Sequence, residues 1–155
     1  MNLNYINIYN NLINLTTNKN LYQHLKRQDT FADRLIFLLL HFAFFLKSFK
    51  DPNNKVILQE IYDFIFRQLE LSIREIGYGD QTINKKMKNY INLFHSIISD
   101  LEPWNILSKE KKIKLFSKII DFEINDVFLI DYFDDYYKNL SKYNLNLFIK
   151  SVRTP

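Results

Sequence analysis

The chain has 155 residues and a net charge of +4, with 47% hydrophobic and 25% charged residues. This composition is close to that of globular proteins and argues against disorder, and the length predicts one domain, residues 1–155, with a real core. The absence of cysteine excludes disulfides and thiol chemistry, and it fits a reducing compartment.

Residues 1–20 are rich in asparagine, which weakens helices, so we predict a weakly structured N-terminus. The first basic residue is Lys19, whereas a secretory signal peptide needs a basic start before its apolar run. No signal peptide is therefore predicted. Leu21, Tyr22 and Leu25 then indicate a short helix that ends near Asp29.

The next helix, predicted at about Phe31–Phe49, is apolar on nearly all sides and should lie at the centre of the fold. Asp29 or Thr30 should cap it, because a short oxygen-bearing side chain accepts hydrogen bonds from free backbone N–H groups. Its apolar run Leu35–Leu46 has 12 residues, whereas a membrane span needs about 20. We interpret it as a buried core helix rather than a membrane-surface element.

Two long amphipathic helices follow, and the only two glycines of the chain separate them. The first is predicted at Lys55–Ile76 and the second at about Ile83–Leu101, each with an apolar stripe at core-facing spacing. Gly77 stands where a left-handed residue closes a helix, a conformation that glycine adopts without steric cost. Gly79 should allow a second sharp step, and Asp80 or Thr82 should cap the next helix. The break therefore predicts a tight corner between antiparallel neighbours.

The charges around this corner are unusual. Glu75 faces the negative end of the helix dipole in the last turn, which is unfavourable unless it forms a salt bridge to Lys85 or Lys86 or belongs to a charged recognition corner. Lys85, Lys86 and Lys88 lie near a helix start, where the dipole is already positive. They form either a site for RNA phosphate or anionic lipid headgroups, or simply a solvated face.

The last third of the chain predicts a helix from near Ser108, an acidic and aromatic helix at about Asn125–Leu140, and a short tail helix after Ser141. Eight lysines lie within residues 82–118 and six acids within residues 121–137, so we expect one basic and one acidic face. With no strand pattern, the fold class is all-α, a bundle of about five to seven helices.

We predict that the protein is not an enzyme and has no cofactor or metal. His24, His41 and His95 form no metal-binding pair, and a lone histidine in an apolar helix is usually hydrogen-bonded in the core. Asp131 and Asp135 share a helix face, but the spacing of a calcium loop is missing, and a solvated acidic face is the better interpretation. No P-loop or nucleophile elbow is present.

Two segments resemble the ubiquinol–cytochrome c chaperone family. The family's hallmark is an Arg-Glu-Met-Gly-Val-Gly-Asp corner before a lysine-rich helix start, and REIGYGDQTINKKMK (residues 74–88) is similar to it. Upstream, DTFADRLIFLLLHFAFFLK (residues 29–47) is similar to the family's Asp…Arg-Phe…Leu-His segment. The resemblance covers about residues 21–94. Ile76 replaces the usual methionine, and Asn84 stands where proline is common.

The resemblance implies a non-enzymatic chaperone for assembly of respiratory complex III that binds newly made cytochrome b or another membrane-protein client. It also implies a small helical partner protein, the ribosome, and peripheral association with the inner membrane, in a bacterial cytoplasm or a mitochondrial matrix. The alternative is a helical adaptor that binds RNA or the ribosome through its lysine-rich face. The expected partner-binding residues are Arg34, His41, Arg74, Glu75, Gly77, Gly79, Asp80, Lys85, Lys86 and Lys88.

A chaperone of apolar clients needs exposed apolar surface. The helix at Phe31–Phe49 has apolar residues on several sides, so either further helices cover them or a groove opens beside it. We predict an apolar groove lined partly by this helix and by the helix at Lys55–Ile76, with the corner at residues 74–88 as its charged rim.

Overall fold

Eight α-helices and two short 3₁₀ helices make up the part of the chain that the computed structural model describes, residues 3–23, 25 and 30–152. These residues contain no strand, so the all-α prediction is confirmed. The count of about five to seven helices is wrong, because the Asn-rich N-terminus forms one more. The α-helices are α1 (Leu3–Thr16), α2 (Asn20–Gln23), α3 (Phe31–Ser48), α4 (Lys55–Ile76), α5 (Asp80–Leu101), α6 (Lys109–Ile120), α7 (Phe128–Leu140) and α8 (Leu145–Ser151), with 3₁₀ helices at Pro52–Asn54 and Trp104–Ile106.

Helix α1 lies where the sequence predicts a weakly structured N-terminus. Ile8 and Leu12 are four residues apart on one helix face, and each is 1% exposed. The helix packs against α3, α4 and α8. The hydroxyl of Tyr9 is 3.2 Å from Oγ of Ser72 in α4. Packing of a narrow apolar face therefore offsets the low helix propensity of asparagine.

Helix α3 is the centre of the fold and contacts α1, α5, α6 and α7. Oγ1 of Thr30 accepts a hydrogen bond from the backbone N–H of Asp33 at 3.3 Å, so Thr30 is the N-cap. Asp29, the alternative cap, lies outside the described residues. Of the four side chains that could have faced a groove on the other sides of α3, Phe37, Leu40 and Phe44 are fully buried, whereas Ile36 is half-buried.

Helices α4 and α5 are each 22 residues long and pack as antiparallel neighbours. The hydroxyl of Tyr62 in α4 is 3.0 Å from Nε2 of His95 in α5. The ring of Phe42 in α3 stacks on Phe94 in α5 at 5.2 Å between centroids, and contacts continue to the ends of both helices. Helices α3 and α5 therefore run parallel, and the start of α3 lies at the same end of the bundle as the α4–α5 corner.

The acidic helix α7 packs against the lysine-rich helix α6. Nζ of Lys109 is 2.6 Å from Oδ1 of Asp131, and Nζ of Lys112 is 3.1 Å from Oδ1 of Asp134. Asp134 also accepts a hydrogen bond from Nε1 of the buried Trp104 at 2.9 Å. The expectation of separate basic and acidic faces is wrong for these pairs, because helix packing brings the opposite charges together.

An aromatic cluster joins α7 to the rest of the core. Its centre is Phe133, whose side chain is fully buried. The ring centroid of Phe133 is 4.8 Å from that of His41, 5.4 Å from that of Phe44 and 5.3 Å from that of Phe116. The last third of the chain is thus packed directly onto the central helix.

Candidate functional site

Gly77 builds the corner between α4 and α5. Its φ is 103°, and its N–H donates to the backbone O of Arg74 at 3.0 Å, so it ends α4 in the left-handed conformation. The predicted helix-closing role of Gly77 is confirmed. Gly79 differs, because its backbone is extended and a Cβ there would meet no atom within 4 Å. The second sharp step predicted at Gly79 is therefore wrong, and no contact among the described residues requires glycine at that position.

We expect Gly77→Val to lower the free energy of unfolding by about 1–2 kcal/mol, because a β-branched side chain is strained at positive φ. Gly79→Val is the matched control. It should change the free energy of unfolding by less than about 0.5 kcal/mol, since its backbone is extended and its surroundings are open. Urea unfolding measures both. An unfolding midpoint of Gly77→Val equal to that of wild type would contradict the helix-closing role.

Arg74 connects the two sides of the corner. Its Nη1 donates to Oδ1 of Asp80 at 2.6 Å, and its Nε is 3.5 Å from Oε2 of Glu70. The hydrogen bond to Asp80, together with the charges of both carboxylates, raises the pKa of Arg74. The prediction that Asp80 or Thr82 is the N-cap of α5 is wrong. Gly79 holds that position without a side-chain hydrogen bond, and Asp80 lies in the first turn, where its charge suits the dipole.

Glu75 is exposed and forms no ion pair within the described residues, so the predicted salt bridge to Lys85 or Lys86 is wrong. Nζ of Lys86 instead lies 4.9 Å from the ring centroid of Tyr78, in cation–π contact. Lys85 and Lys88 are exposed. The alternative, that Glu75 belongs to a charged recognition corner, stays a prediction.

Apolar surface accompanies these charges. Ile76 is 58% exposed and Tyr78 is 43% exposed. Arg34 is exposed in the first turn of α3, at the same end of the bundle. Nine of the ten expected partner-binding residues therefore lie at one end of the molecule, eight of them on the corner itself.

His41 is the exception, because its side chain is fully buried. Nδ1 is 2.6 Å from the backbone O of Phe37, and Nε2 is 2.7 Å from the hydroxyl of Tyr132 in α7. A carbonyl oxygen only accepts, so Nδ1 carries the proton and Nε2 accepts from Tyr132. Burial lowers the pKa of His41 to about 4 despite the hydrogen bond to Phe37. The expected direct contact of His41 with a partner is corrected: the side chain joins α3 to α7.

An apolar groove of about 1060 Å³ lies near the other end of α4 and α5. Leu46 of α3, Leu58 and Tyr62 of α4, and Ile98 of α5 form part of its floor. This confirms the predicted groove lined by α3 and α4. The contribution of α5 was missed, because Ile98 falls on a helical stripe that the sequence assigns wholly to the core, whereas its side chain is only half-buried.

The predicted charged rim is in a different place. Tyr62, the groove residue of α4 nearest the corner, is 15 positions from Gly77, which at about 1.5 Å per residue is about 22 Å, and none of residues 74–88 lines the groove. The corner therefore does not border the groove. Three lysines border it instead: Lys47 in the last turn of α3, Lys50 in the connection to α4, and Lys55 at the start of α4.

The described residues contain no group of three histidine, aspartate or glutamate side chains that could hold a metal ion. Among the described helices, none combines the length and the apolarity needed to cross a bilayer. The features that stand out are a charged corner and an apolar groove on a helical bundle. They define an all-helical protein with surfaces suited to other polypeptides.

Comparison with known proteins gives the family. A protein-family model described as "Ubiquinol-cytochrome C chaperone" matches residues 23–102, just over half of the chain. The chain belongs to this family. The matched segment contains both the corner and every residue that lines the groove. Searches of curated proteins and of solved structures each find no match.

Proposed function

We propose that the protein is a non-enzymatic chaperone that holds an apolar segment of a membrane-protein client in the groove during assembly of ubiquinol–cytochrome c reductase, respiratory complex III. Membership of the family supports the role in assembly. The groove is the observation that carries the client-binding part, because it lies wholly within the family-matched residues. Newly made cytochrome b is the proposed client.

The floor of the groove has the properties that an apolar client requires. Leu58, Tyr62 and Ile98 are half-buried, so each still exposes apolar surface. Covering such surface is worth about 25 cal/mol per Å². A groove between helices takes an amphipathic or apolar helix as its usual peptide ligand. We therefore place one helical segment of the client along α4 and α5.

We expect Leu58→Asp to reduce copurification of cytochrome b with the tagged protein at least about tenfold, because binding of an apolar client would have to bury a carboxylate in the floor of the groove. Leu147→Asp is the matched control, since Leu147 is an exposed leucine on α8, outside the groove. It should leave copurification unchanged. Undiminished cytochrome b with a folded Leu58→Asp protein would overturn the client-binding site.

We also propose that the corner, at the opposite end of α4 and α5, meets a second partner, either a small helical protein or the ribosome. The exposed Lys85 and Lys88 and the exposed Ile76 and Tyr78 support this. Peripheral association with anionic lipid at the inner membrane, on the cytoplasmic face in bacteria or the matrix face in mitochondria, belongs to the same proposal.

Replacing Lys85, Lys86 and Lys88 together with glutamine should change the free energy of unfolding by less than about 1 kcal/mol, because Lys85 and Lys88 are exposed and Lys86 forms only one cation–π contact at the surface. It should weaken sedimentation with ribosomes or anionic vesicles, and wild-type binding should fall as salt rises. The control replaces three other exposed lysines: Lys138, Lys142 and Lys150. Binding that is independent of salt and survives the first triple change would remove the lysines from the mechanism.

A further inference from the structure

The groove has a basic end. Lys47 ends α3, Lys50 lies in the following turn, and Lys55 begins α4. All three line the groove near the C-terminal end of α5, whereas Tyr62 and His95 line it nearer the middle of α4 and α5. The groove therefore differs chemically at its two ends.

Two acids, Asp51 and Glu102, line the same end, so three lysines and two carboxylates leave a net charge of +1 there. Oδ1 of Asp51 accepts a hydrogen bond from the backbone N of Asn53 at 2.8 Å, so this carboxylate caps its own turn. Glu102 is 3.9 Å from Nζ of Lys50, an exposed pair that contributes little.

The remaining two lysines keep their charge without a carboxylate partner. Nζ of Lys47 donates to the backbone O of Glu102 at 3.0 Å, at the C-terminal end of α5, and has no carboxylate partner among the described residues. Lys55 forms no ion pair within residues 30–152. An excess of positive charge therefore remains at this end of the groove.

The size of the groove fits about two turns of a helix. From Lys55 to Tyr62, and from His95 to Glu102, the lining spans eight residues on each side, and the seven steps between them measure about 10 Å. A helix about 10 Å in diameter and 10 Å long occupies about 800 Å³. The groove, at about 1060 Å³, accommodates that segment.

We infer that the groove binds the last two turns of an apolar client helix in one orientation, with the C-terminal end of the helix at the three lysines. The C-terminal end of a helix carries partial negative charge, which lysines complement. An aspartate or glutamate in the last turn of the client adds a full charge at the same place. The preferred occupant is thus an apolar helix with an acidic C-terminal turn. This inference rests on the client-binding groove proposed above.

Three stapled helical peptides of equal composition test it, with both termini blocked. One carries two aspartates in its last turn, one carries them in its first turn, and one has asparagines in both places. We expect the first to bind the full chain about tenfold more tightly than the other two in fluorescence anisotropy at low salt. In the Lys50→Gln, Lys55→Gln double variant this preference should fall to about twofold or less.

The outcomes separate this inference from the function on which it rests. Equal affinities for the three peptides, or a preference that survives in the double variant, would overturn the orientation and leave an apolar client site in place. Loss of binding by all three peptides in Leu58→Asp, with Leu147→Asp unaffected, would place them in the groove. No binding of any peptide to wild type would overturn both proposals.

Discussion

Phe133→Ala should lower the free energy of unfolding by about 3–5 kcal/mol, the usual cost of truncating a fully buried phenylalanine. The ring lies within 5.5 Å, centroid to centroid, of His41 and Phe44 in α3 and of Phe116 in α6. Removing it leaves a cavity among aromatic side chains that cannot collapse freely. Chemical unfolding followed by circular dichroism measures the change.

This experiment also tests how strongly the last third of the chain depends on the family-matched part, because Phe133 lies outside residues 23–102. Phe31→Ala is the control. Phe31 is 50% exposed in the first turn of α3, so its removal should cost less than about 1 kcal/mol. A small loss for Phe133→Ala, similar to that of the control, would show that α7 is not part of the cooperative core.

Stability should fall by about 3 kcal/mol between pH 7 and pH 4 because of His41 alone. Its pKa is lowered from 6.5 to about 4 in the folded protein. Below pH 6.5 the unfolded chain therefore binds a proton that the folded protein resists, and each pKa unit is worth about 1.4 kcal/mol. This contribution is complete above pH 6.5, is lost as pH falls toward 4, and changes no further below.

The groups that face His41 do not titrate in this range. Burial raises the pKa of Tyr132 to about 12, and it raises that of the enclosed Tyr136 as well. His41→Gln should therefore remove about 3 kcal/mol of the pH dependence between pH 7 and pH 4, as measured by urea unfolding at each pH. His95→Gln, a change at an exposed histidine, should retain it. Identical pH profiles for wild type and His41→Gln would contradict this account.

The elements of the fold follow from local sequence patterns, so most were predictable. The spacing of apolar residues predicts α3, α4 and α5, and Gly77 marks the end of α4 because positive φ is a local requirement. Helix α1 was not predictable in this way. Its stability comes from Ile8 and Leu12 packing against distant helices, which asparagine propensity does not report.

The site was less predictable, because the exposure and the ion pairs of its side chains depend on which helices pack against each other. The sequence predicts a groove beside α3. It also assigns Ile98 to the core, whereas the side chain of Ile98 is only half-buried, because no described residue covers its outer side. Similarly, the sequence predicts a solvated acidic face on α7, whereas packing of α6 brings lysines within ion-pair distance of Asp131 and Asp134. The sequence predicts the corner as the rim of the groove, whereas none of residues 74–88 lines it, and the lining ends at Tyr62 on α4 and at His95 on α5.

The central position of α3 has a consequence for the order in which the chain is made. Three of the helices that cover it, α5, α6 and α7, come after it in sequence. Translation at about 5–20 residues per second needs about 5–20 s to extend the chain from Phe49 to Leu140. During that interval the nascent chain carries an apolar helix that α5, α6 and α7 do not yet fully cover. The incomplete chain then exposes apolar surface of the same kind that the complete protein is proposed to bind in its client.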